Sequence, residues 1–466
     1  MVFSNPVFLF LFLPLTLLFY FACPKILRNL VLLGASLFFY AWGEDLYVLI
    51  LLGSIALNYL AGILINAQEG RARLWALWLG VAANLLLLGY YKYIGFIFEN
   101  LGLLEAAAAA PPLPIGISFF TFQALSYIID LYFRRVEVQR NPLNLALYIS
   151  LFPQLIAGPI VRYSEVEEAI TNRKTTRGDV SEGVHQFVRG LAKKTLIADP
   201  LGLIADQIFA IPEAGLSPET AWLGAICYAF QLYFDFSAYS DMAIGLGRIL
   251  GFRFPKNFDY PYVAQSVTEF WRRWHMTLSR WFRDYLYIPL GGNRAGAART
   301  YFNLWIVFLA TGIWHGAAWT FIAWGAFHGF FLIVERLGLG RLLEASPRAA
   351  RHAYLLIVVL CGWVMFRAET FAQSQNFYES MFLFNRGGDA DFYPVARYLD
   401  PYVICILVLA AVFSIGFRPW YARNIAAQTE TAMTRLVGEA WFWALFALSI
   451  ISVGAASYSP FIYFRF

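Results

Sequence analysis

Charged residues are scarce in this sequence of 466 residues. Asp, Glu, Lys and Arg make up 14% of it, whereas hydrophobic residues make up 60% and the mean hydropathy is +0.58. Soluble domains are about 45–50% apolar and about 25% charged, so the composition predicts an all-α polytopic membrane protein with the lipid bilayer as a partner. The net charge of +5 is small and lies mostly in short loops, which argues against a nucleic-acid partner.

Cysteine is also rare, and no two cysteines have a metal-binding spacing. The absence of a CxxC pair argues against a zinc site or a disulfide framework, so no bound metal is predicted. The chain has no GxSxG motif, which removes the nucleophile elbow of serine hydrolases. No Lys or Arg precedes the first apolar run, so that run is predicted to stay as a helix and not to be cleaved as a signal peptide. The four cysteines are Cys23, Cys227, Cys361 and Cys405.

Apolar segments long enough to cross a bilayer recur along the chain and predict about ten to eleven crossings. Basic residues around 25–28, 71–73 and 134–140 alternate with the acidic pair Glu44 and Asp45. By the positive-inside rule, this alternation places the N-terminus outside the cytoplasm. The candidate spans are residues 6–22, 29–42, 46–65, 74–90, 113–133, 181–211, 220–252, 311–329, 353–366, 402–417 and 442–458.

Residues 143–163 are apolar but are interrupted by Pro153, Gly158 and Pro159. Basic residues flank the segment on both sides, so both of its ends favour the same face of the membrane. We therefore expect a re-entrant segment, and irregular backbone at membrane depth is tolerated only beside protein or a watery cavity. The segment is the first sign of an internal cavity.

Two carboxylates, Asp235 and Asp241, lie within the apolar run 220–252. Charges at that depth are costly, so each should face the interior and find a partner. A hydrogen-bonded clamp between helices is the favoured interpretation for both, and direct catalysis is the alternative. The preceding stretch 181–211 carries Arg189, Lys193 and Lys194 and is expected to begin at the interface before it enters the membrane.

Residues 257–299 mix arginine with tryptophan, a composition typical of a helix at the headgroup level. Glu269 and Arg273 have the i,i+4 spacing of a helix-surface pair. The same composition could line a vestibule for an anionic donor, and the interfacial interpretation does not account for His275. The residues concerned are Trp271, Arg272, Arg273, Trp274, Arg280, Trp281 and Arg283.

The stretch 311–329, TGIWHGAAWTFIAWGAFHG, holds two of the five histidines and no charged residue. An ionisable side chain at such depth is expected to have a function, and we take His315 as the centre of the chemistry. A histidine buried for packing is the alternative. His328 lies 13 residues further on, about 220° around a regular helix, so a straight helix would separate the two. Packing is therefore the favoured role of His328, because a shared site needs a break between them.

Several motifs together resemble the membrane-bound O-acyltransferase (MBOAT) family, and in particular its bacterial branch that acetylates alginate and other polysaccharides. The similarity runs in order along nearly the whole chain. The motifs are MVFSNPVFLFLFLP, GYYKY, LPIGISFFTFQALSYIIDLY, LFPQLIAGPIVRY, QLYFDFSAYSDMAIG, FWRRWHMTLS, DYLYIPLGGNR and WHG.

The resemblance implies a bundle of helices around a central cavity, in one MBOAT domain over residues 1–466. Its expected parts are N-terminal helices 1–133, a catalytic core 134–370 and C-terminal helices 371–466. His315 matches the family's essential histidine and His275 a second characteristic one, so both are the expected catalytic residues. Expected to bind donor or substrate are Arg272, Arg273, Arg280, Trp274, Trp314, Asp235 and Asp241.

The expected reaction is acetyl transfer at the bacterial inner membrane, with no bound cofactor and with acetyl-CoA as the cytoplasmic donor. A neutral imidazole can accept a proton from an attacking hydroxyl near neutral pH. A periplasmic acetyltransferase partner is expected to pass the acetyl group to the polysaccharide. The alternatives are a D-alanyl exporter fed by a carrier protein, a transporter without chemistry, and a structural subunit that recruits the true transferase.

Overall fold

The structure, a computed structural model, describes residues 2–294, 296–416 and 432–455. These residues form helices joined by short connections, and no β-strand occurs among them, which confirms the predicted all-α class. The predicted spans 402–417 and 442–458 end outside the described ranges.

The first half of the chain contains eleven α-helices within its described residues. A π-helical turn, Phe8–Phe12, precedes the first, and a second, Lys194–Ala198, precedes the last. The α-helices are α1 Leu13–Ala22, α2 Arg28–Glu44, α3 Val48–Ala67, α4 Gly70–Asn100, α5 Leu104–Ala108, α6 Ile117–Tyr132, α7 Pro142–Ser150, α8 Phe152–Leu155, α9 Tyr163–Asn172, α10 Arg177–Lys193 and α11 Asp199–Phe209.

The second half continues the helical pattern, with π-helical turns at Arg283–Tyr287 and Glu335–Leu339. Its α-helices are α12 Pro218–Ile249, α13 Val267–Arg273, α14 Met276–Phe282, α15 Ala297–His315, α16 Trp319–Val334, α17 Gly340–Ala345, α18 Arg348–Arg367, α19 Phe371–Leu383, α20 Pro401–Ser414 and α21 Ala432–Ala455.

Several helical stretches are long and apolar enough to cross a membrane, as expected for a multi-pass membrane protein. Within the described ranges there are five, or six if the bent pair Ala390–Arg397 and Pro401–Ser414 is one span. The total of ten to eleven crossings and the orientation stay predictions. The five are Lys25–Ala67, Gly70–Asn100, Trp319–Ala345, Arg348–Arg367 and Leu436–Ala455.

The chain divides into two compact units. The first consists of Met1–Phe187 and Tyr239–Lys256, and the second of Val188–Ala238 and Asn257–Phe466. The division into parts at residues 133 and 370 stays a prediction.

In the first unit, helices α3 and α4 are joined by a pair of buried amides. Asn58 Nδ2 donates to Asn84 Oδ1 at 3.0 Å, and Asn84 Nδ2 donates back to Asn58 Oδ1 at 2.9 Å. Each amide also donates to the backbone carbonyl four residues before it, at 2.8 Å. Because apolar packing alone discriminates little between helices in lipid, such polar pairs fix which helices associate.

The first unit also contains the interrupted segment, whose side chains from residue 145 to residue 161 are all buried. Helix α7 ends at Ser150, and the chain turns through Gly158, whose φ of 99° favours glycine. Polar side chains cover the freed backbone: Gln154 donates to the Tyr148 carbonyl at 2.6 Å, and Tyr148 to the Val161 carbonyl at 3.0 Å. The sequence interruption is therefore real, and irregular backbone here lies within protein.

The second unit contains a tight pair of antiparallel helices, α15 and α16. A Cβ added at Gly312 would lie 2.3 Å from the Phe321 carbonyl oxygen, and one added at Gly325 would lie 2.3 Å from the Phe308 carbonyl oxygen. Only glycine allows this approach of the two backbones. The close pair fixes the position of the residues at its turn, 315–319.

Candidate active site

His315 is the last residue of α15, and the helix ends there because the next residues leave helical geometry. Gly316 has φ −164° and ψ 157°, and Ala318 has φ −148° and ψ 152°, before α16 begins at Trp319. The break that the sequence argument required between the two histidines thus lies directly after the first of them. It places His315 at a helix end, where an imidazole can point into the unit's interior.

Three aromatic rings enclose the His315 imidazole. The ring centroids of Trp314, Trp324 and Phe366 lie 4.9, 5.1 and 5.1 Å from its own, each in an edge-to-face arrangement. His315 is only 8% exposed, so the rings hold it in one orientation within a region of low polarity. A proton acceptor in such surroundings is pre-organised and shielded from water.

His275 lies in a backbone bend between the short helices α13 and α14. Its φ of 42° and ψ of 54° are left-handed, which costs a residue with a Cβ about 1–3 kcal/mol. Asn257 holds the bend: its carbonyl accepts from the Met276 amide at 2.8 Å, and its Oδ1 lies 3.1 Å from His275 Nδ1. A strained conformation fixed by a second residue is common at functional sites.

One indole connects the two histidines. The Trp314 ring centroid lies 4.9 Å from that of His315 and 6.2 Å from that of His275. On its other side His275 contacts Phe236 of α12, with centroids 4.6 Å apart. The structure therefore brings together His315, His275 and Trp314, three of the residues that the sequence selected.

Glu335 anchors the N-terminus of α13, a role that no local sequence signal indicates. Its carboxylate accepts hydrogen bonds from the Val267 and Thr268 amides at 2.6 and 2.9 Å, and from Thr268 Oγ1 at 2.6 Å. A carboxylate at a helix N-terminus satisfies free amides and interacts favourably with the helix dipole. Because α13 leads directly to the His275 bend, this buried contact helps to position that histidine.

Residues 257–299 do not form one continuous helix, and their position at the headgroup level stays a prediction. The segment contains α13, the bend at His275, α14 and a π-helical turn. Trp271, Trp274 and Trp281 are each less than 9% exposed, and Trp274 stacks with Phe270 at 5.5 Å. The bends between the short helices bring these tryptophans into the interior of the protein.

The arginines predicted to bind the donor lie in different surroundings. Arg273 donates from Nε to Glu269 Oε1 at 2.9 Å and lies 3.5 Å from Asp259 Oδ2, so the i,i+4 pair is formed. Arg272 is exposed and Arg280 is half-buried. An exposed Arg272 is better placed to meet an anion than Arg273, whose charge is already balanced.

Asp235 forms a buried ion pair with Lys194. Lys194 Nζ lies 2.8 Å from Asp235 Oδ1 and 2.7 Å from Asp199 Oδ1, and all three residues are less than 9% exposed. The partner expected for Asp235 is therefore Lys194, which belongs to the stretch 181–211 that was expected to enter the membrane from the interface. The three charges connect the π-helical turn before α11 to α12, the helix that carries Phe236 against His275.

Asp241 belongs to the first unit and is half-buried. Gln186 of α10 donates to its Oδ1 at 3.2 Å. This contact between α10 and α12 has the form of the interhelical clamp that was favoured for it. A role of Asp241 in binding substrate stays a prediction.

His328 shares an aromatic neighbour with His315. It is fully buried, and its ring centroid lies 5.0 Å from those of Trp324 and Trp271. Neither ring nitrogen has a hydrogen-bond partner within the described part of the chain. Because the chain breaks after α15, both histidines contact Trp324. The packing role of His328 stays a prediction.

Within the described ranges, no three His, Cys, Asp or Glu side chains lie together as a group that could hold a metal ion. The residues of the second unit are suited to acid–base chemistry. A buried imidazole can take a proton from a hydroxyl, and rigid indoles around it restrict how a substrate lies.

The helical fold and its long apolar helices define a multi-pass membrane protein, in which a buried histidine lies at a break between two helices. The profile of the membrane-bound O-acyltransferase family matches residues 118–374, a range that includes His275, His315, Asp235 and Glu335. The chain belongs to this family and is an O-acyltransferase.

Relatives that match along their whole length support the same assignment. The chain is 43% identical to a probable alginate O-acetylase of Pseudomonas putida over all of both proteins. It is 35% identical to the peptidoglycan O-acetyltransferase of Helicobacter pylori, covering 100% of this chain and 98% of that protein. Similarity to the teichoic acid D-alanyltransferase of Streptococcus thermophilus is 32% identity over 47% of this chain and 56% of that one.

Proposed function

We propose that this enzyme transfers an acetyl group from acetyl-CoA for the O-acetylation of an exopolysaccharide, with alginate as the first candidate. The observation that carries the proposal is the enclosed His315 imidazole, held at a helix break beside Trp314 and Trp324. The choice of acetyl and of alginate rests on full-length similarity to proteins described as probable alginate O-acetylases.

In the proposed reaction His315 is the general base. It takes the proton from an acceptor hydroxyl as the oxygen attacks the thioester carbonyl, so that a C–O bond forms and the C–S bond breaks. The proton then passes to the departing thiolate, which leaves as free CoA thiol. A positioned base supplies about 10²–10⁴-fold, and the rest of the acceleration must come from orientation and from stabilisation of the oxyanion.

The Trp324 indole is the donor that we assign to the oxyanion. Its ring centroid is 5.1 Å from that of His315, and its buried Nε1 has no hydrogen-bond acceptor among the residues that the structure describes. A buried donor without an acceptor is costly in the resting protein. A negative oxygen formed during the reaction would relieve that cost, so the stabilisation would be strongest in the transition state.

We place the donor on the cytoplasmic side of the bacterial inner membrane and the acceptor on the periplasmic side, with the N-terminus in the periplasm. The exposed guanidinium of Arg272 is suited to meet the phosphates of CoA. The acceptor would be a hydroxyl of a periplasmic acetyltransferase partner, which then modifies the polymer. No cofactor or metal is required for this sequence of steps.

The test is acetyl transfer by the purified protein in liposomes with labelled acetyl-CoA. We expect release of free CoA thiol that depends on an acceptor, and label on alginate only when the periplasmic partner is present. Unchanged acetyl-CoA under all these conditions would contradict the proposal. If label reaches the polymer without a partner, the assignment as a transferase stands, and the proposed relay through a partner protein is ruled out.

A D-alanyl transferase fed by a carrier protein is the second candidate. The similarity to a teichoic acid D-alanyltransferase supports it, although that similarity covers 47% of this chain. A competition assay separates the two, because D-alanyl thioester should reduce labelled acetyl transfer only if it is a substrate. Preference for the D-alanyl donor would overturn the acetyl assignment.

A further inference from the structure

Two guanidinium groups lie against the same tyrosine ring in the first unit. The Cζ atom of Arg28 is 5.0 Å from the centroid of Tyr20, and that of Arg173 is 5.4 Å from it. Arg173 also lies 5.1 Å from the Phe252 centroid. The two cations are therefore within about 10 Å of each other, a separation at which 0.1 M salt does not fully screen their repulsion.

Arg173 is held in place by a set of hydrogen bonds. Its Nε donates to Tyr20 Oη at 2.8 Å, and its Nη1 donates to the side chain of Asn29. Tyr20 in turn donates to the Leu250 carbonyl at 2.7 Å. These bonds fix the plane of the guanidinium, so a ligand would find it already oriented.

No acidic side chain within the described ranges balances either arginine. Among the described residues no carboxylate pairs with Arg28 or Arg173, and three buried polar atoms have no hydrogen-bond partner there: Arg28 Nε, Arg173 Nη2 and Thr175 Oγ1. The acid next along the chain, Asp179, lies 3.4 Å from Arg248 and 3.6 Å from Arg253. A partly buried charge without a counter-ion is costly.

Two other cations withdrawn from solvent have such a counter-ion. Lys194 has Asp199 and Asp235, and Arg367 donates to Asp206 at 2.7 Å. The pair beside Tyr20 differs from these two because its positive charge is supported by aromatic rings and amides. An anion from outside the chain would balance that charge.

We propose that Arg28 and Arg173 form a binding site for a phosphate group, carried by an anionic phospholipid headgroup or by a soluble phosphate compound. Guanidinium groups bind phosphate oxygens through paired N–H donors. Basic pockets between the helices of membrane proteins are suited to lipid headgroups. The site belongs to the first unit and is separate from the residues assigned to acetyl transfer.

The experiment measures the thermal unfolding of the full-length protein in a neutral detergent with added probes. Dioctanoyl phosphatidylglycerol tests the lipid source, inorganic pyrophosphate tests the soluble source, and dioctanoylglycerol is the control lipid without phosphate. We expect at least one phosphate probe to raise the melting temperature and the control lipid to have no effect. A response to the lipid alone assigns the headgroup, and a response to pyrophosphate alone assigns the soluble compound.

The key variant is Arg28→Gln, because Arg28 donates no hydrogen bond within the described part of the chain and its loss should leave the fold intact. The apparent affinity for the active probe should fall about tenfold or more, the cost of losing a charge-assisted hydrogen bond. Arg253→Gln removes the same charge from an 84% exposed side chain of the same unit and should keep the response.

A second variant distinguishes a loss of binding from a loss of the fold. Arg28→Lys keeps the charge but loses the planar pair of donors, so it should show an intermediate affinity. The proposal is overturned if no phosphate probe stabilises the wild type. It is also overturned if Arg28→Gln and Arg253→Gln respond alike.

Discussion

The Glu335 carboxylate is hydrogen bonded to Thr268 through both the amide and the hydroxyl of that residue, at 2.9 and 2.6 Å. The contact joins the end of the helix pair α15–α16 to the beginning of α13. His315 lies at the other end of that pair, at its turn, and His275 directly follows α13. One buried carboxylate therefore connects the two segments that carry the candidate catalytic histidines.

Replacing Glu335 by Gln should lower both stability and activity. The amide keeps the shape but removes the charge that the α13 amides bind, a loss of about 1–3 kcal/mol in the free energy of unfolding. The melting temperature and the acetyl-transfer rate per folded molecule measure the two effects. Glu344→Gln, at an exposed glutamate of α17, is the matched control, and equal behaviour of the two variants would contradict the anchoring role.

Replacing Lys194 by Met should destabilise the protein by about 3–5 kcal/mol, because it leaves Asp199 and Asp235 as buried charges without their cation. Adding Asp199→Asn and Asp235→Asn should restore part of the stability, since the triple variant has no uncompensated charge. Unfolding followed by size-exclusion chromatography after heating compares the variants. A triple variant less stable than Lys194→Met would show that the three charges do not act as one group.

Replacing Gly312 by Ala should separate α15 from α16 and displace His315. The new methyl group would lie 2.3 Å from the Phe321 carbonyl oxygen and 3.2 Å from the Gly325 Cα, and such overpacking costs about 1–3 kcal/mol or more. Gly53→Ala, in α3, meets no atom within 4 Å and should gain up to about 1 kcal/mol of helix propensity. The prediction fails if Gly312→Ala retains full activity and has the same melting temperature as the wild-type protein.

Replacing Asn257 by Ala should reduce acetyl transfer more than it reduces stability. Its Oδ1 accepts from Thr277 Oγ1 at 2.8 Å and lies 3.1 Å from His275 Nδ1, so truncation frees the His275 ring to turn. Asn58→Ala truncates a buried asparagine of the first unit and is the control. If the two variants have comparable activity per folded molecule, Asn257 does not position His275.

The fold class and the position of His315 could be predicted from the sequence because both depend on composition over long windows. An apolar run without charge that contains two histidines is conspicuous in the sequence. The motif WHGAAW also contains Gly316, the residue that follows the last residue of α15. The interruption at residues 151–159 was visible for the same reason, because proline and glycine are strong local signals.

The bent course of residues 257–299 could not be predicted, because arginine and tryptophan mix both at membrane interfaces and in bent interior segments. The bend lies at the left-handed backbone of His275, and it is stabilised by Asn257, which is 18 residues away. Glu335 was missed because it is 68 residues from Val267 and follows an apolar helix as if it began a loop. Contacts over such distances leave no local pattern.

The most direct test of the central claim is the initial rate of labelled acetyl transfer by His315→Ala in liposomes. His185→Ala, at a half-buried histidine of α10, is measured beside it. Loss of a positioned base should lower the rate about 10²–10⁴-fold, with normal membrane insertion and melting temperature, while His185→Ala should match wild type. A His315→Ala protein that transfers acetyl groups at the wild-type rate would contradict the account.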